Sequence, residues 1–147
     1  MDHILFNSPA YGEEIAHLVG TELPPKAASI ARVRMGELLG GAVYYNKFGT
    51  TSISAHIAGK EDHWLSRDLL WCMFDYPFNQ LGVSRIFGFV AEDNPRAIRF
   101  NLKLGFKFAS VIDGMFKNDV ACAVMRLDRA DCRWLAITPR FITRNYH

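Results

Sequence analysis

The chain has 147 residues, a length that fits one domain with a single well-buried core. Half of the residues are hydrophobic and 13% are aromatic, which excludes disorder as the general state, and a net charge of +2 is too small to argue for nucleic acid. No apolar run reaches the ~18 residues that span a bilayer, and Asp2 and His3 do not open a secretory signal, so a cytoplasmic protein without a membrane partner is expected. Cys72, Cys122 and Cys132 are odd in number and lack a C-x-x-C pairing, so neither a disulfide framework nor a metal site is expected.

Residues 1–27 offer one helix, Tyr11 to Val19, with Ile15, Leu18 and Val19 on one side; Pro24 and Pro25 stop any continuation. From Ala28 the period changes to two, with Ile30, Arg32 and Arg34 facing one way and Ala31, Val33 and Met35 the other. Gly36-Glu37 reads as a hairpin turn. Leu38 to Tyr45 and Thr50 to Ala58 are two further strands joined by Asn46-Lys47-Phe48-Gly49, so an antiparallel meander is expected. From Trp64 to Gln80 the apolar residues Leu65, Leu69, Cys72, Met73 and Tyr76 recur at helical spacing, and Pro77 is expected to end or kink that helix near Tyr76. Ser84 to Ala91 is a β-branched and aromatic run suited to a buried strand.

The next stretch is the most informative. Asn94 can cap a helix, Pro95 stands at its first position, and Gly105 after Leu104 supplies the left-handed residue that ends it. Phe106 to Ile112 and Val120 to Leu127 then form a hairpin across Asp113-Gly114 and Lys117-Asn118-Asp119. Residues 128–147 carry Arg129, Arg133, Arg140 and Arg144 among Trp134, Phe141 and Tyr146, and read as a basic, aromatic tail that either docks on residues 1–127 or reaches a partner subunit. Its aromatic residues favour a homodimer.

The strand, the Asn94 helix and the closing Leu104-Gly105-Phe106, with Phe78, Leu81-Gly82 and Arg85 upstream, resemble the second half of the GCN5-related N-acetyltransferase (GNAT) superfamily, closest to its ribosomal-protein-acetyltransferase-like branch. The resemblance covers roughly residues 38–127. It implies an α/β fold with a mixed, mainly antiparallel sheet of six or seven strands flanked by helices. It also implies transfer of an acetyl group from acetyl-coenzyme A, as co-substrate, to an amine on a small molecule or a protein.

Such chemistry requires a grip on pyrophosphate, a thioester held beside an amine, and a base for the amine's proton. The family grips pyrophosphate with backbone N–H groups in a Gln/Arg-x-x-Gly-x-Gly/Ala loop at a helix start, and the corresponding residues here are Gly59-Lys60-Glu61-Asp62-His63-Trp64. Asp62 and Trp64 stand where small residues are expected, and a Cβ and an indole there restrict close backbone approach. The amides of Trp64, Leu65, Ser66 and Arg67 can still point at an anion, or be an ordinary solvated helix start. On the Asn94 helix, Arg96, Arg99 and Lys103 share one stripe that either is simple solvation or borders the coenzyme's phosphates, with Arg99 central. The resemblance places Asn94 against the coenzyme arm; capping alone also accounts for it. Asn101 occupies the position of the family's general-acid Tyr, where an amide offers a hydrogen bond to the thiolate but no proton. His56 is the candidate base, since alternation puts it with Ser52 and Ser54 opposite Ile53, Ala55 and Ile57. The departures in the loop and at Asn101 also admit a catalytically silent GNAT-like binding or assembly module.

Overall fold

The structure is a computed structural model and describes residues 2–140. Seven strands form one sheet: β1 (Asp2–Phe6), β2 (Ala28–Arg34), β3 (Glu37–Phe48), β4 (Ser52–Gly59), β5 (Arg85–Ala91), β6 (Lys107–Phe116) and β7 (Val120–Asp128). Their order is β1-β2-β3-β4-β5-β7-β6, and every neighbouring pair is antiparallel except β4 with β5. Helices α1 (Pro9–Leu18), α2 (Arg67–Asp75) and α3 (Pro95–Leu104) cover the two faces.

Strand alternation sorts side chains between two clusters. Ile15 of α1 packs with Ala31, Val33, Leu38 and Val43 on one face. On the other, Leu69, Met73 and Phe74 of α2 and Leu104 of α3 pack with Ile30, Tyr44, Ile86 and Met125. The Tyr44 hydroxyl donates to the Met73 carbonyl at 2.5 Å, so this polar atom carried into the cluster is satisfied.

Several boundaries differ from the sequence expectation, each for a local reason. Strand β1 was not anticipated: its five residues lie at the sheet edge and are held by pairing with β2 and by Asp2 bonding Arg32 and Arg34, which no local pattern displays. The first helix starts at Pro9, since proline is suited to a first turn. The β2–β3 turn is Met35-Gly36, both at positive φ (53° and 81°), with Arg34 opposite Glu37. Strand β3 runs on through an irregularity to Phe48, and β6 does the same to Phe116, which moves that turn to Lys117–Asp119. The α-helical part of α2 ends at Asp75, next to Tyr76, where Pro77 is expected to end or kink it. The chain widens into a π-turn, Tyr76–Gln80, where the Leu81 N–H donates to the Tyr76 carbonyl at 3.0 Å, five residues back, and Pro77 and Phe78 stay buried.

The tail is docked on its own chain as far as Arg140. Trp134 Nε1 donates to the Leu104 carbonyl (2.8 Å), Arg133 donates to the Lys103 carbonyl, and the Arg140 N–H donates to Asp68 Oδ1 (2.8 Å). Phe141, Arg144 and Tyr146 lie outside the described residues. No helix among the described residues is long and apolar enough to cross a membrane.

Candidate active site

Strands β4 and β5 pair over three positions only, Ser52 with Arg85, Ile53 with Ile86 and Ser54 with Phe87. Beyond them β4 stays with β3 as far as Gly59, while β5 stays with β7 as far as Ala91. Each strand is thus held by its other neighbour while the two diverge, and a wedge opens in the middle of the sheet. Helices α2 and α3 pack on one face of the sheet, and His56 stands on β4 two residues past the last β4–β5 pair.

On the α2 face, the segment between β4 and α2 is not helical up to Ser66, so Trp64 and Leu65 belong to a loop rather than to the helix expected from Trp64 onward. Ser66 caps α2 by accepting from the Leu69 N–H at 3.1 Å. The loop is held from beneath by Arg32 of β2, whose Nη1 donates to the His63 carbonyl (2.9 Å) and the Trp64 carbonyl (2.6 Å). Arg32 is only 8% exposed and is fixed in turn by Asp2. Hydrogen bonds from Arg34 and then Arg32 hold the Asp2 carboxyl down at about 2. The Trp64 indole lies on the sheet in a slot made by Gly40 and Gly59, which face each other across β3 and β4: a Cβ on either would come within 2.3 or 2.1 Å of the ring. It also meets Phe100 of α3, ring centroids 5.9 Å apart. The bulky side chain expected to obstruct the loop's backbone is therefore laid down on two glycines. Lys60 is committed to Glu14 of α1 at 2.9 Å, whereas Arg67 is exposed beside Ser66 and Arg140 at a shallow depression before α2.

On α3, Asn94 Oδ1 accepts from the Ala97 N–H at 3.2 Å, Gly105 closes the helix at φ 106°, and Arg99 is exposed. Asn101 is half-buried above β5, its Nδ2 4.0 Å from where a Gly88 Cβ would be. His56 is on the other side of the sheet. It stands opposite Val43, two residues past the last β4–β5 pair, and stacks on Tyr45 with centroids 4.9 Å apart and planes 12° from parallel. The Tyr45 hydroxyl lies 3.5 Å from Thr21 Oγ1. Burial pushes the His56 imidazole below its usual value, leaving it neutral at neutral pH. Trp64, Leu65, Ser66, Arg67, Asn94 and Asn101 therefore lie on the face covered by α2 and α3, while His56 lies on the α1 face with Val43 and Tyr45. Among the described residues no group of acidic, histidine or cysteine side chains is arranged to hold a metal. Nothing local marks Gly40 or Phe100 for this arrangement; Gly59 stands in the sequence only as the first residue of the loop, and Arg32 only as an arginine alternating with Ile30 in an otherwise apolar strand.

No family model matches the chain, and no curated protein matches its sequence. Solved structures do match its shape. A mutant form of the spermidine/spermine N-acetyltransferase SpeG from Vibrio cholerae is 14% identical and superposes at TM-score 0.67, over 88% of this chain and 96% of that one. YncA, a putative acetyltransferase from Salmonella typhimurium solved with acetyl-CoA, is 15% identical at TM-score 0.65, over 86% and 93%. A GNAT-family acetyltransferase from Bacillus anthracis is 14% identical at TM-score 0.55, over 70% and 66%. The fold is the GNAT fold. Its seven-stranded mixed sheet with flanking helices is the architecture that the Asn94 helix and Leu104-Gly105-Phe106 imply.

Proposed function

We propose that this protein is an N-acetyltransferase that takes the acetyl group of acetyl-coenzyme A and passes it to an amine. The observation that carries this reading is the wedge between β4 and β5 beside the capped start of α2, in a fold shared with acetyltransferases, one of them solved with acetyl-CoA. The first amides of α2 and the loop before it offer N–H donors that fit the coenzyme's pyrophosphate, with Arg67 and Arg140 adjacent; the Asp68 carboxylate lines the same depression and accepts from the Arg140 N–H. Trp64, Leu65, Ser66 and Arg67 would hold the pyrophosphate, Asn94 the arm, and Arg99 the outer phosphates. When bound, the coenzyme supplies an acyl group activated as a thioester.

The chain's own residues supply the rest. A neutral His56 accepts a proton from the incoming ammonium, directly or through one water, which frees the nitrogen lone pair for attack. As the nitrogen–carbon bond forms, the carbon–sulfur bond breaks: the sulfur leaves as thiolate, the nitrogen's second proton passes to water, and Asn101, on the opposite face, offers the thiolate an N–H hydrogen bond without giving up a proton. A base and a hydrogen-bond donor on opposite faces of the wedge let the amine and the coenzyme enter from opposite sides. Polyamines, the acceptors named for the V. cholerae enzyme, are the first amines to assay.

The test is calorimetric titration with acetyl-CoA and CoA, followed by thiol release on adding amines. Saturable binding and amine-dependent thiol release are expected. A folded protein that takes up neither ligand would return the reading to a silent GNAT-like module.

A further inference from the structure

We propose that Arg32, buried in β2 and remote from the expected thioester, is a positioning residue that turns the amide N–H groups of Trp64 and Leu65 toward the coenzyme's pyrophosphate; this rests on the coenzyme reading above. One guanidinium nitrogen takes two consecutive carbonyls, His63 at 2.9 Å and Trp64 at 2.6 Å. In a trans peptide the N–H points opposite the carbonyl of the same unit, so the N–H groups of Trp64 and Leu65 are directed away from Arg32. No acceptor among the described residues takes either of them. Two successive N–H groups on one side, following a left-handed His63 (φ 63°), make a backbone concavity of the kind that receives anions, continuous with the start of α2.

The support behind Arg32 is equally directional. Asp2 accepts from Nε at 2.9 Å and from Nη2 at 2.5 Å, so one edge of the planar guanidinium is fixed to β1 and the remaining nitrogen to the loop. A lysine ammonium is a single point and cannot span both. Where the family's loop uses small residues to bring backbone near phosphate, this chain holds its loop from behind. The indole at Trp64 is compatible with that arrangement because Gly40 and Gly59 receive it.

The experiment follows the Trp64 and Leu65 amide resonances of the ¹⁵N-labelled full chain as CoA, and separately inorganic pyrophosphate, is added. In the native protein both amides shift saturably with either ligand. In Arg32→Met the Kd for CoA rises about 10- to 100-fold, as expected when two N–H donors to an anion are no longer held in orientation. At saturating CoA the amides of Val90 and Ala91 beside the wedge still shift, while those of Trp64 and Leu65 no longer do. A purely structural arginine would weaken all of these responses alike, and that result overturns the proposal, as does an unchanged response at Trp64 and Leu65. If Arg32→Met does not fold, Arg32→Lys is expected to raise the Kd about tenfold with the same selective loss. The native chain decides by itself if neither variant folds: CoA shifts at Val90 and Ala91 without shifts at Trp64 and Leu65 remove Arg32 and leave the coenzyme reading intact. No shift anywhere removes both.

Discussion

Replacing Gly59 by Ala tests the indole slot with one methyl group. Gly59 does not adopt positive φ, so alanine is permitted by the backbone and the effect is steric. The new Cβ would lie 2.1 Å from Trp64 Cδ1 and 2.2 Å from Cγ and Nε1, inside the ring's van der Waals surface. The indole must leave. Expelling a half-buried tryptophan re-exposes about 100 Å² of apolar area, or roughly 2.5 kcal/mol at ~25 cal/mol/Å². Alanine recovers about 0.5 kcal/mol or more over glycine in the strand, so a net loss of about 2 kcal/mol is expected. Urea denaturation measures it, and the same substitution in a Trp64→Ala background should cost nothing or stabilise slightly. An equal loss in both backgrounds would refute the slot, because the methyl group would then be meeting something other than the indole.

Asn94→Ala should lose about 1 kcal/mol of stability through the α3 cap; calorimetry on the same variant shows a separate loss of coenzyme affinity only if Asn94 also touches the arm. His56→Gln should lower turnover about 10²- to 10⁴-fold with coenzyme affinity preserved, since an amide accepts no proton. Because burial lowers the His56 pKa, the native rate should rise with pH along a limb centred below 6.5, and a variant that keeps both limb and rate would exclude His56 as base. For Asp2, whose folded pKa of about 2 lies below the unfolded 3.8, stabilisation is complete above 3.8 and disappears as pH falls through about 2. Native and Asp2→Asn proteins should therefore differ in thermal midpoint at neutral pH and converge near pH 2; a gap that persists unchanged in acid would show that the carboxylate's charge is not its source.

Elements with local causes are legible in the amino-acid order. Asn94, Pro95 and Gly105 delimit α3 because a cap, a first-turn proline and a left-handed terminator each act within a few residues, and the structure has all three in those roles. The placement of His56 on the face opposite Ile53 and Ala55 followed from strand alternation alone. What needed tertiary structure was everything defined by residues distant in sequence. Strand β1 exists through the Asp2 contacts with Arg32 and Arg34, about thirty positions away. The resting place of the Trp64 indole depends on Gly40, on another strand, which shares the slot with Gly59. The wedge itself is a difference between two long-range pairings, β4 with β3 and β5 with β7, which hold while the pairing of β4 with β5 stops at Ser54 and Phe87. A periodic pattern records which side of a strand is buried, and it does not record where two strands part.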